Sequence, residues 1–231
     1  MGLLEATGEA FRLLFAGDAE LWGIIFLSLR VSLLGLLLAL LPGVVAGYVL
    51  AMWRFPGRRA LVVTVQSLLA FPTVVVGLML YMLLSRQGPF GSLGLLFTQQ
   101  AMTLGQAILA FPILAAYTLA AVQGADARAH ETAVSLGAGP LRAAVTTLNE
   151  TRFAVLAGVI NGFGRAISEV GCALMIGGNI AGFTRNITTA IALETSKGEF
   201  AQGIALGAVL VVLALGVNVA MAILQGEGGM K

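Results

Sequence analysis

The sequence predicts an all-α integral membrane protein with about five transmembrane helices. Three observations carry that expectation. Only 10% of the 231 residues are charged while 58% are hydrophobic, and mean hydropathy is +0.96; soluble domains carry about 25% charge. Apolar runs of the length that crosses a bilayer, roughly 20 residues, recur along the chain. Lys and Arg gather in alternate connecting segments, the bias that orients helices in a membrane.

The composition also excludes function classes. A net charge of +2 is too small to imply a nucleic-acid partner. His130 is the only histidine and Cys172 the only cysteine, so neither a histidine-cluster metal site nor an intrachain disulfide can form. No Asp lies in a span, and no nucleophile–base pair or phosphate-cradling loop appears, which leaves an intramembrane enzyme without its chemistry.

Residues 1–20 read as a short amphipathic segment on the outer surface. Leu3, Leu4, Phe11, Leu14 and Phe15 share one face, and Glu5, Glu9 and Asp18 stay wet. The acidic residues and the missing basic start do not fit a signal peptide. A single transmembrane domain follows over 21–226, with a tail at 227–231. Its first span lies within Leu21–Trp53, with the membrane part from Val31 to Trp53 and Arg30 snorkelling at one interface. The others are Ala60–Leu84, Gln99–Val122, Phe153–Ile176 and Phe200–Gln225. "RFPGRR" holds Arg54, Arg58 and Arg59, and the 123–152 loop holds Arg128, Arg142 and Arg152. The alternate side holds Arg86, Arg185 and Lys197. This bias puts the first two segments in the cytoplasm, the N-terminus outside and the C-terminus inside.

Pro42, Pro72 and Pro112 fall inside spans, the last two in copies of "LAFP", and each is expected to bend its helix. The flanks of the two copies do not match, so they form no repeat. Small residues at four-residue spacing, Gly158, Gly162 and Ala166, then Gly203 and Gly207, predict close helix packing. "GRAISEVG" sets Arg165 and Glu169 four apart in the fourth span, on one helix face. A lone charge there costs at least ~2.5 kcal/mol, so these two are expected to pair with each other, with a neighbouring helix or with water, facing the interior or a dimer axis. Asn161 and Asn218 are weaker signs of polar contact between helices.

Two connections carry the functional signals. The outer one, "GGNIAGFTRNITT", precedes a segment, Ile187–Thr195, too brief to cross. Its Asn179, Thr184, Arg185, Asn186, Thr188 and Thr189 are donors suited to an oxyanion. The second, "ARAHETAVSLGAGPLR", reads as a helix over Ala127–Leu136 ended by Gly137 and a new helical turn at Pro140. A helix–turn–helix of this kind at the membrane surface is a docking knob.

"ETAVSLGAGPLR" resembles the EAA motif of ABC-importer permeases. Glu131, Ala133 and Gly137 match it, Thr132 replaces an alanine, and "TLNETR" stands where the family closes with Leu-Pro. The stretch from Gly162 to Gly207, with "LSLRVSL", "RFPGRR" and "LSRQGPFGSLGLLFT", resembles tungstate-type permeases, relatives of the molybdate permeases. The resemblance covers nearly the whole chain. It implies the ABC-importer (MetI-like) permease architecture and an inner-membrane transport subunit of a prokaryote, itself non-catalytic. It also implies the partners: a second copy, a cytoplasmic ABC ATPase pair that binds the ATP and Mg, and an extracytoplasmic oxyanion-binding protein. Glu131, Ala133, Leu136 and Gly137 would form the ATPase-coupling contact. Molybdate and sulfate stay open beside tungstate. A gradient-driven secondary transporter is the reading from a different class, and it lacks the internal repeats such proteins show.

Overall fold

The computed structural model describes residue 12 and residues 15–125 and 127–225. Most of the amphipathic segment expected over 1–20, and the tail at 227–231, lie outside the described residues. Every regular element among those described is helical.

Helix α1 spans Ala19–Met52, 34 residues or roughly 51 Å at 1.5 Å per residue. It starts earlier than the membrane part expected from Val31, because Asp18 caps it by accepting the Leu21 N–H at 2.8 Å. Pro42 sits inside without ending it. At its other end Arg58 Nε donates to the Leu50 carbonyl at 2.6 Å, closing α1 against the helix that follows.

The second expected span is two helices, α2 (Arg58–Leu69) and α3 (Thr73–Leu84), set at 102°. Pro72 supplies the reason: it has no N–H to donate, and it steers Phe71 away from helical dihedrals. At 12 residues, roughly 18 Å, neither helix alone reaches across the hydrocarbon core. Helix α4 (Gln99–Gly124) is capped by Thr98 and runs unbroken through Pro112. Of the three expected proline bends, only the one at Pro72 breaks a helix.

Helices α5 (Ala127–Ser135) and α6 (Pro140–Glu150) form a hairpin. The fourth expected span is also two pieces, α7 (Arg152–Ile167) and α8 (Gly171–Gly177), bent by 57°. The 11-residue α9 (Ile187–Lys197) is too short to cross, as expected, and α10 (Phe200–Gln225) follows. Among the described residues three helices, α1, α4 and α10, are long and apolar enough to span; counting each bent pair as one span gives up to five.

Helices α1 and α4 form the centre and run parallel. Gly35 faces Thr103 and Gln106, Gly43 faces Phe111 and Leu114, and Gly47 faces Ala115 and Thr118. A Cβ on Gly47 would come within 2.5 Å of the Ala115 carbonyl oxygen, so only glycine permits this approach. The expected small residues of α7 pack likewise, Gly158 on Tyr117 and Gly162 on Leu36. Those of α10 pack less closely: a Cβ on Gly203 meets only the Thr195 hydroxyl at 3.5 Å, and one on Gly207 meets nothing within 4 Å. Leu21, Ile24 and Ile25 at the start of α1 bury against Ile187 and Ala190 of α9 and against Ala205 and Leu206 of α10.

Candidate functional site

The α5–α6 hairpin projects from the bundle beyond the last turns of α1. Its turn is a Schellman closure: the Ala138 N–H bonds the Ala133 carbonyl at 3.0 Å, and the Gly137 N–H bonds Val134 at 2.9 Å. Gly137 has φ +82°, a conformation glycine adopts without strain. Pro140 then starts α6 at a position whose N–H has no helical partner anyway. Across the hairpin, His130 Nδ1 lies 3.2 Å from the buried Thr147 hydroxyl. Glu131 and Gly137 are exposed, Ala133 is half-buried, and Leu136 is 82% exposed. Val134 and Leu141, the latter 78% exposed, extend the same apolar tip. They were missed in the sequence, where an apolar residue in a polar loop was the available signal. A cleft of about 550 Å³ separates the hairpin from Tyr48, Met52 and Trp53 of α1.

The structure does not pair Arg165 with Glu169. The i,i+4 relation holds only while the helix continues, and α7 ends at Ile167. Ser168 turns its hydroxyl back onto the Gly164 carbonyl at 2.7 Å. Glu169, 5% exposed, caps α8 by accepting the Cys172 N–H at 2.9 Å, and its carbonyl accepts the Thr188 hydroxyl at 2.6 Å. Arg165 is exposed and lines a groove with Asn161, Ser168 and Asn218 between α7 and α10. Neither asparagine reaches another helix: Asn161 bonds the Ala157 carbonyl and Asn218 the Ala214 carbonyl, each four residues back.

The six donors expected to face an anion are largely taken up by the fold. Thr184 bonds the Gly177 carbonyl and the Ile180 N–H. Asn186 and Thr189 form a reciprocal capping box on α9, and Thr188 reaches Asn186 as well as Glu169. Asn179, at φ +51°, bonds the Thr189 carbonyl. Arg185 pairs with Glu20 at 3.3 Å and approaches Glu194 at 4.0 Å, while Lys197 holds Glu194 at 3.0 Å. Ser28 of α1 accepts the Ile187 N–H at 2.7 Å. This connection therefore fastens α9 to α1 and to the α7–α8 break, rather than presenting a donor-rich surface. Among the described residues no three His, Cys, Asp or Glu side chains converge as metal ligands do.

Residues 43–226 match the model of the binding-protein-dependent transport system inner membrane component family. The chain belongs to this family. Among relatives of this permease is the tungstate uptake system permease protein TupB of Campylobacter jejuni subsp. jejuni, 43% identical over 216 residues, 94% of this chain and 90% of that one. Another is the tungstate uptake system permease protein TupB of Peptoclostridium acidaminophilum, 36% identical over 97% of this chain and all of that one. A chain in the crystal structure of an amino acid ABC transporter with histidines shares the fold. Its TM-score is 0.68 at 17% identity, covering 93% of this chain and 96% of that chain.

Proposed function

We propose that this permease is the membrane subunit of an ATP-driven importer that carries tungstate across the cytoplasmic membrane. The observation that carries the reading is the 43% identity to a tungstate uptake permease across 94% of the chain, so the likeness is not confined to a shared motif. In this reading two copies assemble, and each α5–α6 hairpin seats in a groove of a cytoplasmic ATPase. Glu131, Ala133, Leu136 and Gly137 form the contact that passes ATPase closure to the helices. The ATPase pair binds ATP and Mg; this chain hydrolyses nothing. An extracytoplasmic binding protein delivers the anion to the end of the bundle that holds α9, which puts the start of α1 outside and the end of α10 inside.

The build of the hairpin supports this reading. It is clasped by His130 and Thr147 and presents the apolar side chains of Leu136 and Leu141 to solvent. Uncovered apolar tips of this kind mark docking surfaces.

The test is mild-detergent purification of the tagged chain from its native membrane, with mass spectrometry of what accompanies it. Cellular tungstate is measured in parallel, with molybdate and sulfate as competitors. The expected outcome is an ATPase in equal copies with wild type and its loss with Gly137→Asp, together with tungstate accumulation that depends on the chain. Stable purification without an ATPase would overturn the importer reading and leave a gradient-driven transporter to test.

A further inference from the structure

Most of the donors after α8 are engaged inside the fold, with Arg185 Nε the exception, so a second place where a dianion could meet this chain is worth seeking among the helices. Arg165 is the group that stands out. It is exposed on the last turn of α7, and among the described residues it has neither an ion-pair nor a hydrogen-bond partner. It lines a groove of about 300 Å³ with Asn161 and Ser168 on one wall and Asn218 of α10 on the other. Among the described residues no other charged side chain lines that groove. The carboxylate nearest in sequence, Glu169, is buried and holds the Cys172 N–H instead.

Packing fixes the depth. Gly162, one turn before Arg165, sits against Leu36 and Leu114, and Cys172, seven residues after it and past the α7–α8 break, sits against Gly77 and Gly105. Gly105 and Leu114 straddle the middle of α4 (Gln99–Gly124), so Arg165 lies near mid-membrane. A guanidinium at that depth does not face hydrocarbon; it faces protein or a water-filled cavity. Each asparagine gives one N–H to its own helix, at 2.9 Å for Asn161 and 2.8 Å for Asn218, which leaves a second amide N–H free to donate.

We infer that Arg165, with Asn161 and Asn218, forms a transient binding station for the transported oxyanion, in the groove between α7 and α10. This rests on the importer reading above. The guanidinium and the two free amide N–H groups offer charge-assisted and neutral hydrogen bonds that suit a tetrahedral oxyanion. A single cation per copy also keeps the hold weak enough for release, as a conduction path requires.

The experiment uses the complete transporter in cells. Cys172→Ala removes this chain's sole thiol and serves as the reference, carried through both reagent treatments; Arg165→Cys is added in that background. Uptake of tungstate is expected to fall roughly tenfold or more, the size of one lost charge-assisted hydrogen bond. The water-soluble reagent aminoethyl methanethiosulfonate is then applied. The introduced thiolate displaces methanesulfinate and gains a disulfide-linked ammonium group, which is expected to recover uptake. The sulfonatoethyl reagent, which adds an anion by the same exchange, is expected to label the site without recovery. An introduced thiol protected from both reagents in an importing complex, or equal recovery by both adducts, overturns this inference alone. A wild-type complex that imports no tungstate overturns the importer reading and this one with it. If Arg165→Cys does not assemble with the ATPase, Asn218→Cys reads the same groove: labelling from water supports the inference and protection overturns it.

Discussion

Two residues illustrate how local chemistry sets this structure. Gly47 lies where α1 and α4 touch backbone to backbone. Gly47→Val is expected to destabilise the purified chain by about 1–3 kcal/mol, the usual cost of overpacking, read as a fall in its thermal midpoint in detergent. Gly207→Ala, which meets open space, is expected to leave the midpoint unchanged. Glu169 is the second case. As the cap of α8 it needs an acceptor oxygen and not a charge, so Glu169→Gln should hold stability close to wild type. Glu169→Ala should lose about 1–2 kcal/mol, since it strands the Cys172 N–H. Chemical denaturation of the three proteins side by side checks this. A large loss in Glu169→Gln would instead mean that the negative charge itself matters, as an ion pair with Arg165 requires.

At the scale of elements, the hairpin and the two broken spans matter most. The α5–α6 tip is braced and uncovered: the Schellman turn closes it, His130 clasps it, and Leu136 and Leu141 stay in solvent. Leu136→Asp with Leu141→Asp is therefore expected to abolish ATPase copurification while the thermal midpoint of the isolated chain stays unchanged, because neither side chain packs in the core. A joint loss of both properties would mean that the tip supports the fold and not a partner. The breaks have separate causes. Pro72 interrupts α2–α3 through the backbone, whereas α7 ends where Ser168 bonds back to Gly164 and α8 restarts on the Glu169 cap. Pro42 and Pro112 carry the same residue type with no break, because α1 and α4 are held along their lengths by each other. Proline alone is thus a poor predictor of where a membrane helix ends when neighbours can re-satisfy the freed groups.

At the scale of the whole molecule, much of the architecture was legible in the sequence. Apolar runs located α1, α4 and α10, since burial in lipid is a sum over residues that hydropathy counts directly. The hairpin was legible as well, because Gly137 and Pro140 act through their own backbone dihedrals and need no distant partner. The family followed from motifs spread over nearly the whole chain. The tertiary structure alone decided which glycines let another helix come too close for a side chain, since the Gly43–Gly47 spacing in α1 looks no different from the Gly203–Gly207 spacing in α10. It also decided that Glu169 turns inward to cap α8 while Arg165 turns outward to a groove. Helical spacing could not reveal this, because it assumes an unbroken helix, and the break depends on hydrogen bonds donated by Ser168 and Thr188 and accepted by Glu169. The donors after α8 followed the same logic. Composition counts how many hydrogen-bonding groups a segment carries, but only the folded chain determines how many are left for a ligand after the backbone has taken its share.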